Sequence, residues 1–281
     1  MKIIDTFIFY NELDLLKYRL AILDEHVDYF ILVESTHTFT GHPKPLFYNE
    51  NKENNEYGFA VFKDKIIHII VDDFPFKYPN IDHQRQQQWQ NEYHQRNYIR
   101  QGLHQIQNNL NDDDIILTAD VDEIPDPKII EKAKNDTLDF DKNTLNRLAL
   151  DMYYYNLNLR VGDGQNWHGI KLMTWSAYNK IHLTFQQMRV WEHTHSVPRI
   201  PYGGWHLSYF GDIDFIINKV TNFSHQEYNN NMTINKERLE KMVKEGINFH
   251  GGANLQNISI NNNNNLPYKY EEYLQKYYVP V

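Results

Sequence analysis

The sequence predicts an α/β fold, a central and mainly parallel sheet flanked by helices, and three observations predict it. Apolar runs of strand length recur at Ile3 to Tyr10, Asp28 to Ser35, Lys65 to Asp73 and Ile115 to Leu117. Between the first two, Leu13, Leu16, Leu20 and Leu23 recur at helical spacing, with Leu15 and Ile22 widening the stripe. The runs end in polar or acidic residues, as in Asn11-Glu12, Glu34-Ser35 and Asp120-Val121-Asp122-Glu123. In a parallel sheet with right-handed crossovers those ends share one edge, where ligands bind.

Taken in order, Asn11 is placed to cap the first helix, with Glu12 and Asp14 in its first turn. The loop 36–46 carries Gly41, Pro43, Pro45 and Lys44, a lysine within reach of a phosphate or of solvent. Residues 74–82 read as irregular, and a long helix follows through Trp89, Tyr93, Ile99, Leu103 and Ile106, with Glu92, Arg96 and Asn97 on its polar side. Pro127 opens a short helix to Lys134. Leu145 to Asn158, Ile170 to Tyr178 and Gln187 to Trp191 read as strand-like pieces. Paired glycines in Tyr202-Gly-Gly-Trp-His206 allow backbone to approach a ligand closely. Asp212 then opens a helix through Ile216, Ile217 and Val220, and Tyr268 to Tyr278 reads as a final helix.

Composition removes several function classes. The chain of 281 residues has no cysteine, which excludes disulfides, thiolate zinc sites and cysteine nucleophiles. A net charge of −9 argues against general nucleic-acid binding. No apolar stretch reaches the ~18 residues of a membrane span. The N-terminus carries no signal-peptide profile, so a soluble, cytoplasmic protein is expected. The run Asn261 to Asn265 reads as a low-complexity loop.

The chemistry centres on Asp120, Asp122 and Glu123. Asp120 and Asp122, two residues apart, point to the same side as the chain leaves the sheet, and Pro125 ends the strand. Adjacent carboxylates repel unless a cation joins them, and hard oxygen donors suit Mg²⁺ or Mn²⁺ held with substrate phosphates. A solvated acidic turn is the plainer alternative. A Ca²⁺ loop is excluded, because Ile124 and Pro125 stand where an oxygen ligand and a glycine are needed. Among the 14 histidines, His193 and His195 form a pair of the kind chance supplies, whereas His206, beside the paired glycines, is the better ligand candidate, followed by His225.

Several blocks together resemble glycosyltransferase family 17, the family of the β-1,4-mannosyl-glycoprotein 4-β-N-acetylglucosaminyltransferases. They are Asp5-Thr-Phe-Ile-Phe-Tyr-Asn-Glu-Leu-Asp-Leu-Leu16, Val33-Glu-Ser35, Thr38-Phe-Thr-Gly-His-Pro-Lys-Pro-Leu46, Ala119-Asp-Val-Asp-Glu-Ile-Pro125, Gly203-Gly-Trp-His-Leu-Ser208 and Phe223-Ser-His-Gln-Glu227, in the family's order. The resemblance implies a GT-A fold, Rossmann-like and nucleotide-sugar-binding, with an Asp-x-Asp motif and a divalent metal, Mn²⁺ or Mg²⁺. It implies UDP-N-acetylglucosamine as donor and inverting transfer to a glycan or other hydroxyl acceptor.

On this reading one domain spans the chain, with a nucleotide-binding half over 1–126, an acceptor-side half over 127–260, and the Asn-rich loop and last helix over 261–281. Asp120, Asp122 and His206 would hold the metal, with Asp120 also near the ribose, and Glu34 would lie near the nucleobase. Arg96-Asn97 resembles an Arg-Asn pair on the helix before Asp-x-Asp, and Asn11, Glu12 and Lys44 would complete the donor side. Asp212, then Glu192, are the candidate bases. Animal members carry a membrane anchor and stem, whereas this chain starts at the catalytic domain; with its asparagine content and lack of cysteine, that points to a microbial or viral enzyme. Two other classes remain open: a carbohydrate-binding module without turnover, and a sugar nucleotidyltransferase, which would favour a glycine-rich loop where Tyr10-Asn11-Glu12 stands.

Overall fold

The computed structural model describes residues 1–162, 167–251 and 255–279. The first strand, β1 (Ile3–Phe9), is buried at every position, as a strand covered by helices on both faces must be. It pairs in parallel with β2 (Tyr29–Ser35). The crossover between them is α1 (Leu13–Leu23), whose Leu15, Leu16, Leu20 and Leu23 pack into the principal core. After α2 (Phe47–Asn51), β3 (Ile66–Val71) joins in parallel beyond β2. The long helix expected before the acidic strand is two helices, α3 (Gln87–Asn97) and α4 (Ile99–Ile106), divided at Tyr98. Ile99, Leu103 and Ile106 pack with Ile4, Ile8, Ile31 and Val33 in a second core. Those strand residues alternate with Ile3, Phe7, Phe9 and Leu32 of the first core, so the two cores cover opposite sheet faces.

Strand β4 (Ile115–Asp120) lies parallel to β1. The chain then forms β5 (Glu123–Pro125) and α5 (Pro127–Lys134), capped by the Asp126 side chain on Lys128 N. Next come β6 (Asn146–Tyr154), β7 (Leu159–Val161) and β8 (Lys171–Thr174), and β8 runs antiparallel between β4 and β6. They are followed by α6 (Trp175–Ile181), α7 (Phe185–Val190), β9 (Arg199–Ser208), α8 (Ile213–Asn222), α9 (Lys236–Glu245), β10 (Leu255–Asn257) and α10 (Tyr270–Tyr273). The sheet order is β10-β7-β6-β8-β4-β1-β2-β3, with β9 parallel to β6 and antiparallel to β5. β4 therefore has a parallel neighbour on one side and an antiparallel one on the other, and the chain opens a crevice at its carboxyl end. Among the described residues no helix is long and apolar enough to cross a membrane.

Five local expectations change. Gln187 to Trp191 is helical: Thr184 and Gln187 form a reciprocal cap at the start of α7, and this outweighs an apolar alternation at Met188 and Val190. Ile170 to Tyr178 is strand only as far as Thr174, whose hydroxyl accepts from Ala177 N and starts α6. The tail is the short α10 followed by a single turn at Gln275–Tyr277. Asn11 does not cap α1; Glu12 occupies that position, and its carboxylate accepts from the amides of Tyr10 and Asn11 at 3.3 and 3.0 Å. The paired glycines admit backbone, not a ligand: at Gly204 (φ +141°) a β-carbon would stand 2.1 Å from the Ile124 carbonyl oxygen.

A third core gathers Tyr154, Tyr155, Tyr209, Ile216, Val220 and Leu239. His250 rests on it, its Nε2 2.9 Å from the Tyr209 hydroxyl and its ring stacked at 4.1 Å on Tyr228. Burial, with the nearby His225, pushes the His250 imidazole down to about 4. An unfolded chain takes up that proton near pH ~6.5, so the unfolded state binds more protons between the two values. Stability from this group is complete above pH ~6.5 and is lost as pH falls through the window toward 4. Urea midpoints at pH 7 and pH 4.5 are expected to show that decline, and His250→Gln, whose amide keeps an acceptor for Tyr209, flattens it.

Candidate active site

The turn between β4 and β5 is anchored from inside the protein. Arg19 sits in the apolar stripe of α1, fully buried, beside Leu15, Leu16, Leu20 and Leu23. Its Nε and Nη2 make a two-pronged pair with Asp5 of β1 at 2.7 and 2.6 Å. Its Nη1 donates to the carbonyl oxygens of Asp120, Val121 and Glu123 at 3.1, 3.3 and 2.6 Å. A buried charge persists only when paired and hydrogen-bonded, and this one fixes the backbone on which the acids stand.

The repulsion between those acids is answered by the chain's own cations. Asp120 lies between Arg96 at 2.5 Å and Arg189 at 3.1 Å. Glu123, fully buried, takes both Arg189 nitrogens at 2.6 and 2.7 Å, the Trp167 indole N–H, and the Asp120 amide at 3.0 Å. Asp122 presents Oδ2 to Lys219 at 2.9 Å and Oδ1 to His206 Nε2 at 3.7 Å. Lys219 also meets Glu12 at 3.0 Å. Burial alone would raise these carboxyl groups, but Lys219 and then His206 hold Asp122 well below the usual range, and Arg189 holds Glu123 down at about 2. The acids stay ionised at neutral pH.

A cavity of about 970 Å³ opens over this turn. On the β2 side it is lined by Ser35, His37, Phe39, Trp89 and Tyr93, and on the β6–β8 side by Arg147, His168 and Glu192. Of the residues expected to act, Glu12, Asp120, Asp122, Glu192 and His206 line it. Arg96 reaches it through Asp120 and is braced by Glu92 at 2.8 Å. The others lie outside the lining. Glu34, near the carboxyl end of β2, is fully buried and meets Tyr48 N, His68 and Lys44 at 3.1, 3.1 and 3.7 Å. Burial pushes Lys44 down to about 8. Asn97 accepts from Gln186 N at 3.1 Å, and Asn11 lies 3.4 Å from Asn218. Asp212 is exposed and caps α8 through Phe215 N at 2.8 Å, so the helix start that made it attractive is also what engages it. His225 lines the cavity and pairs with Glu227 at 2.7 Å, whereas His195 stacks on Trp191.

No group of three metal-ligating side chains occurs among the described residues. Asp120, expected as a ligand, is held by two guanidinium groups instead. Asp122 Oδ1 and His206 Nε2 nevertheless face each other, and His206 Nδ1 is buried with no hydrogen-bond partner among those residues. Two protein donors suit Mg²⁺ or Mn²⁺ when phosphates complete the shell. The pair fits an open cation site.

Sequence reading missed Arg189, Lys219 and Trp167. Arg189 was hidden by reading α7 as strand. Lys219 carried a usable signal, since it shares a helical face with buried Ile216 and Val220. The indole of Trp167 bonds Glu123 and its ring lies 4.7 Å from His206, contacts only the fold creates.

Residues 1–252 match the profile of glycosyltransferase family 17. The β-1,4-mannosyl-glycoprotein 4-β-N-acetylglucosaminyltransferase of Homo sapiens is 34% identical over 116 residues, and that of Mus musculus 33%. The matched stretch is 41% of this chain and 20% of each relative, so the match reaches a fifth of their length. Among solved structures, the inositol-1-phosphate CTP transferase from T. maritima aligns at a TM-score of 0.35 and 11% identity, over 77% of this chain and 94% of that one. For 4-diphosphocytidyl-2C-methyl-D-erythritol synthase the values are 0.38, 13%, 78% and 97%. Likenesses that slight carry no weight here. With the profile running from β1 through the acidic turn and β9 to the third core, the chain belongs to glycosyltransferase family 17.

Proposed function

We propose that the protein is an inverting glycosyltransferase that moves a sugar, N-acetylglucosamine by kinship, from a UDP-sugar to a hydroxyl of a glycan acceptor. The observation that carries this is the facing pair of Asp122 and His206 with Lys219 beside it, at the carboxyl end of β4 and on the floor of a cavity of nucleotide-sugar size. Trp89, Tyr93 and Phe39 offer aromatic faces for a base on the β2 side. Lys219 and Arg189 bring positive charge to the floor, where a departing diphosphate develops negative charge. A Mn²⁺ or Mg²⁺ ion held by Asp122 and His206 would add Lewis-acid neutralisation of that group.

Inversion is a single displacement. The acceptor oxygen bonds to the anomeric carbon as the bond to the diphosphate oxygen breaks, and one base takes the acceptor's proton. Glu192 is that base: it lines the cavity on the β6–β8 side, and Lys171 Nζ meets its Oε2. Asp212, the other candidate, caps a helix outside the cavity.

A thermal-shift panel of UDP, GDP and CDP, each with and without Mn²⁺, tests the reading. UDP with Mn²⁺ is expected to stabilise the fold by ~2.7 kcal/mol at a hundredfold excess over its dissociation constant, and more than GDP or CDP. A melting temperature that none of the nucleotides moves sinks it.

A further inference from the structure

Three cations stand side by side in the sheet beside the cavity, and of these Arg147 lines it. Arg147 of β6 is in register with Lys171 of β8 on one side and with Arg199 of β9 on the other. Register partners project from the same sheet face, and like charges directly opposite one another are destabilising. Lys171 is paired with Glu192, and Arg199 has an interaction of its own. Arg147 has its Nε buried with no hydrogen-bond partner among the described residues, and so has His168 its Nε2. Both residues line the cavity. Buried donors without partners are rare in folded proteins and call for an explanation. Burial, and then the Arg147 charge, pushes the His168 imidazole down, so the positive charge of this corner is carried by the longer side chains.

The corner adjoins the transfer site. Its His168 follows Trp167, whose ring lies 4.7 Å from His206 and whose indole N–H reaches Glu123. It lies on the β6–β8 side of β4, away from the aromatic faces of Trp89 and Tyr93. The donor's own phosphates belong at Asp122 and Lys219, a placement that rests on the transferase reading. The unpartnered Arg147 Nε, with His168 Nε2 beside it, then belongs to the acceptor. We propose that this corner receives an oxyanion carried by the acceptor sugar, a carboxylate or a phosphate ester, and that Arg147 selects for it. A neutral acceptor would leave the buried Arg147 Nε without an anion to meet it.

The test is binding, measured with and without saturating UDP and Mn²⁺. Methyl β-glucuronide, glucose 6-phosphate and methyl β-glucoside are titrated into the full chain and followed by ligand-observed NMR. At least one charged sugar is expected to bind tenfold or more tighter than the glucoside, with UDP present as well as absent; which one does so separates carboxylate from phosphate. Arg147→Gln removes that preference and keeps the UDP-induced thermal shift, which also reports that the variant is folded; Arg147→Lys retains part of it. Equal binding of charged and neutral sugars by the native chain overturns the proposal, as does displacement of the charged sugar by UDP. If UDP causes no shift, the transferase reading fails, while the titrations without UDP still decide whether the corner takes an anion.

Discussion

Asp122→Ala is expected to lower UDP-sugar turnover by about 10²–10³-fold while leaving the fold intact, a size seen when a preorganised electrostatic partner is removed from a reacting centre. Asp122 is the carboxylate that faces His206 and also touches Lys219, so its loss takes away one side of the proposed cation site and the anchor of an adjacent positive charge. The fold should tolerate the change because Lys219 keeps Glu12 at 3.0 Å and is not left as a buried unpaired charge. Turnover measured as UDP release, beside a melting curve, separates the two effects. Near-native turnover would mean that the leaving group is stabilised elsewhere, whereas a melting temperature many degrees lower would mean that Asp122 serves the fold first.

Arg19→Met is expected to destabilise the protein by roughly 3–5 kcal/mol, the usual cost of breaking a buried ion pair from one side. That is a large share of a total stability of order 5–15 kcal/mol. Asp5 would be left fully buried and uncompensated, and three carbonyl oxygens of the acidic turn would lose their donor. Urea unfolding of Arg19→Met, Asp5→Leu and the double variant apportions the loss. The double variant should recover the part due to the stranded carboxylate but not the part due to the carbonyls. Full recovery would show that Arg19 matters only to Asp5.

How much of this was legible in the sequence depends on how local the cause is. The strands β1 to β4 and the helix α1 are written in unbroken apolar runs and a 3.6-residue stripe, and the fold follows them. The acidic turn was legible because its residues are contiguous. Its cations were not, since Arg96, Arg189 and Lys219 come from three helices at sequence distances of 24, 69 and 97 from the acids they meet. A carboxylate run advertises a need for positive charge without saying who supplies it. Glu34 and Asp212 mark the opposite error: each stands at the end or start of an element, where function was sought, and each is engaged by its own neighbourhood. Arg19 could have been found, because a guanidinium inside a leucine stripe is a local anomaly with few physical resolutions.

The clamp by Arg19 touches the acidic turn only at main-chain oxygens. Its grip is indifferent to which side chains the turn displays. Exchanges at positions 120 and 122 therefore leave this main-chain anchor in place, whereas an exchange at 123 also strands the Arg189 guanidinium that bonds it twice.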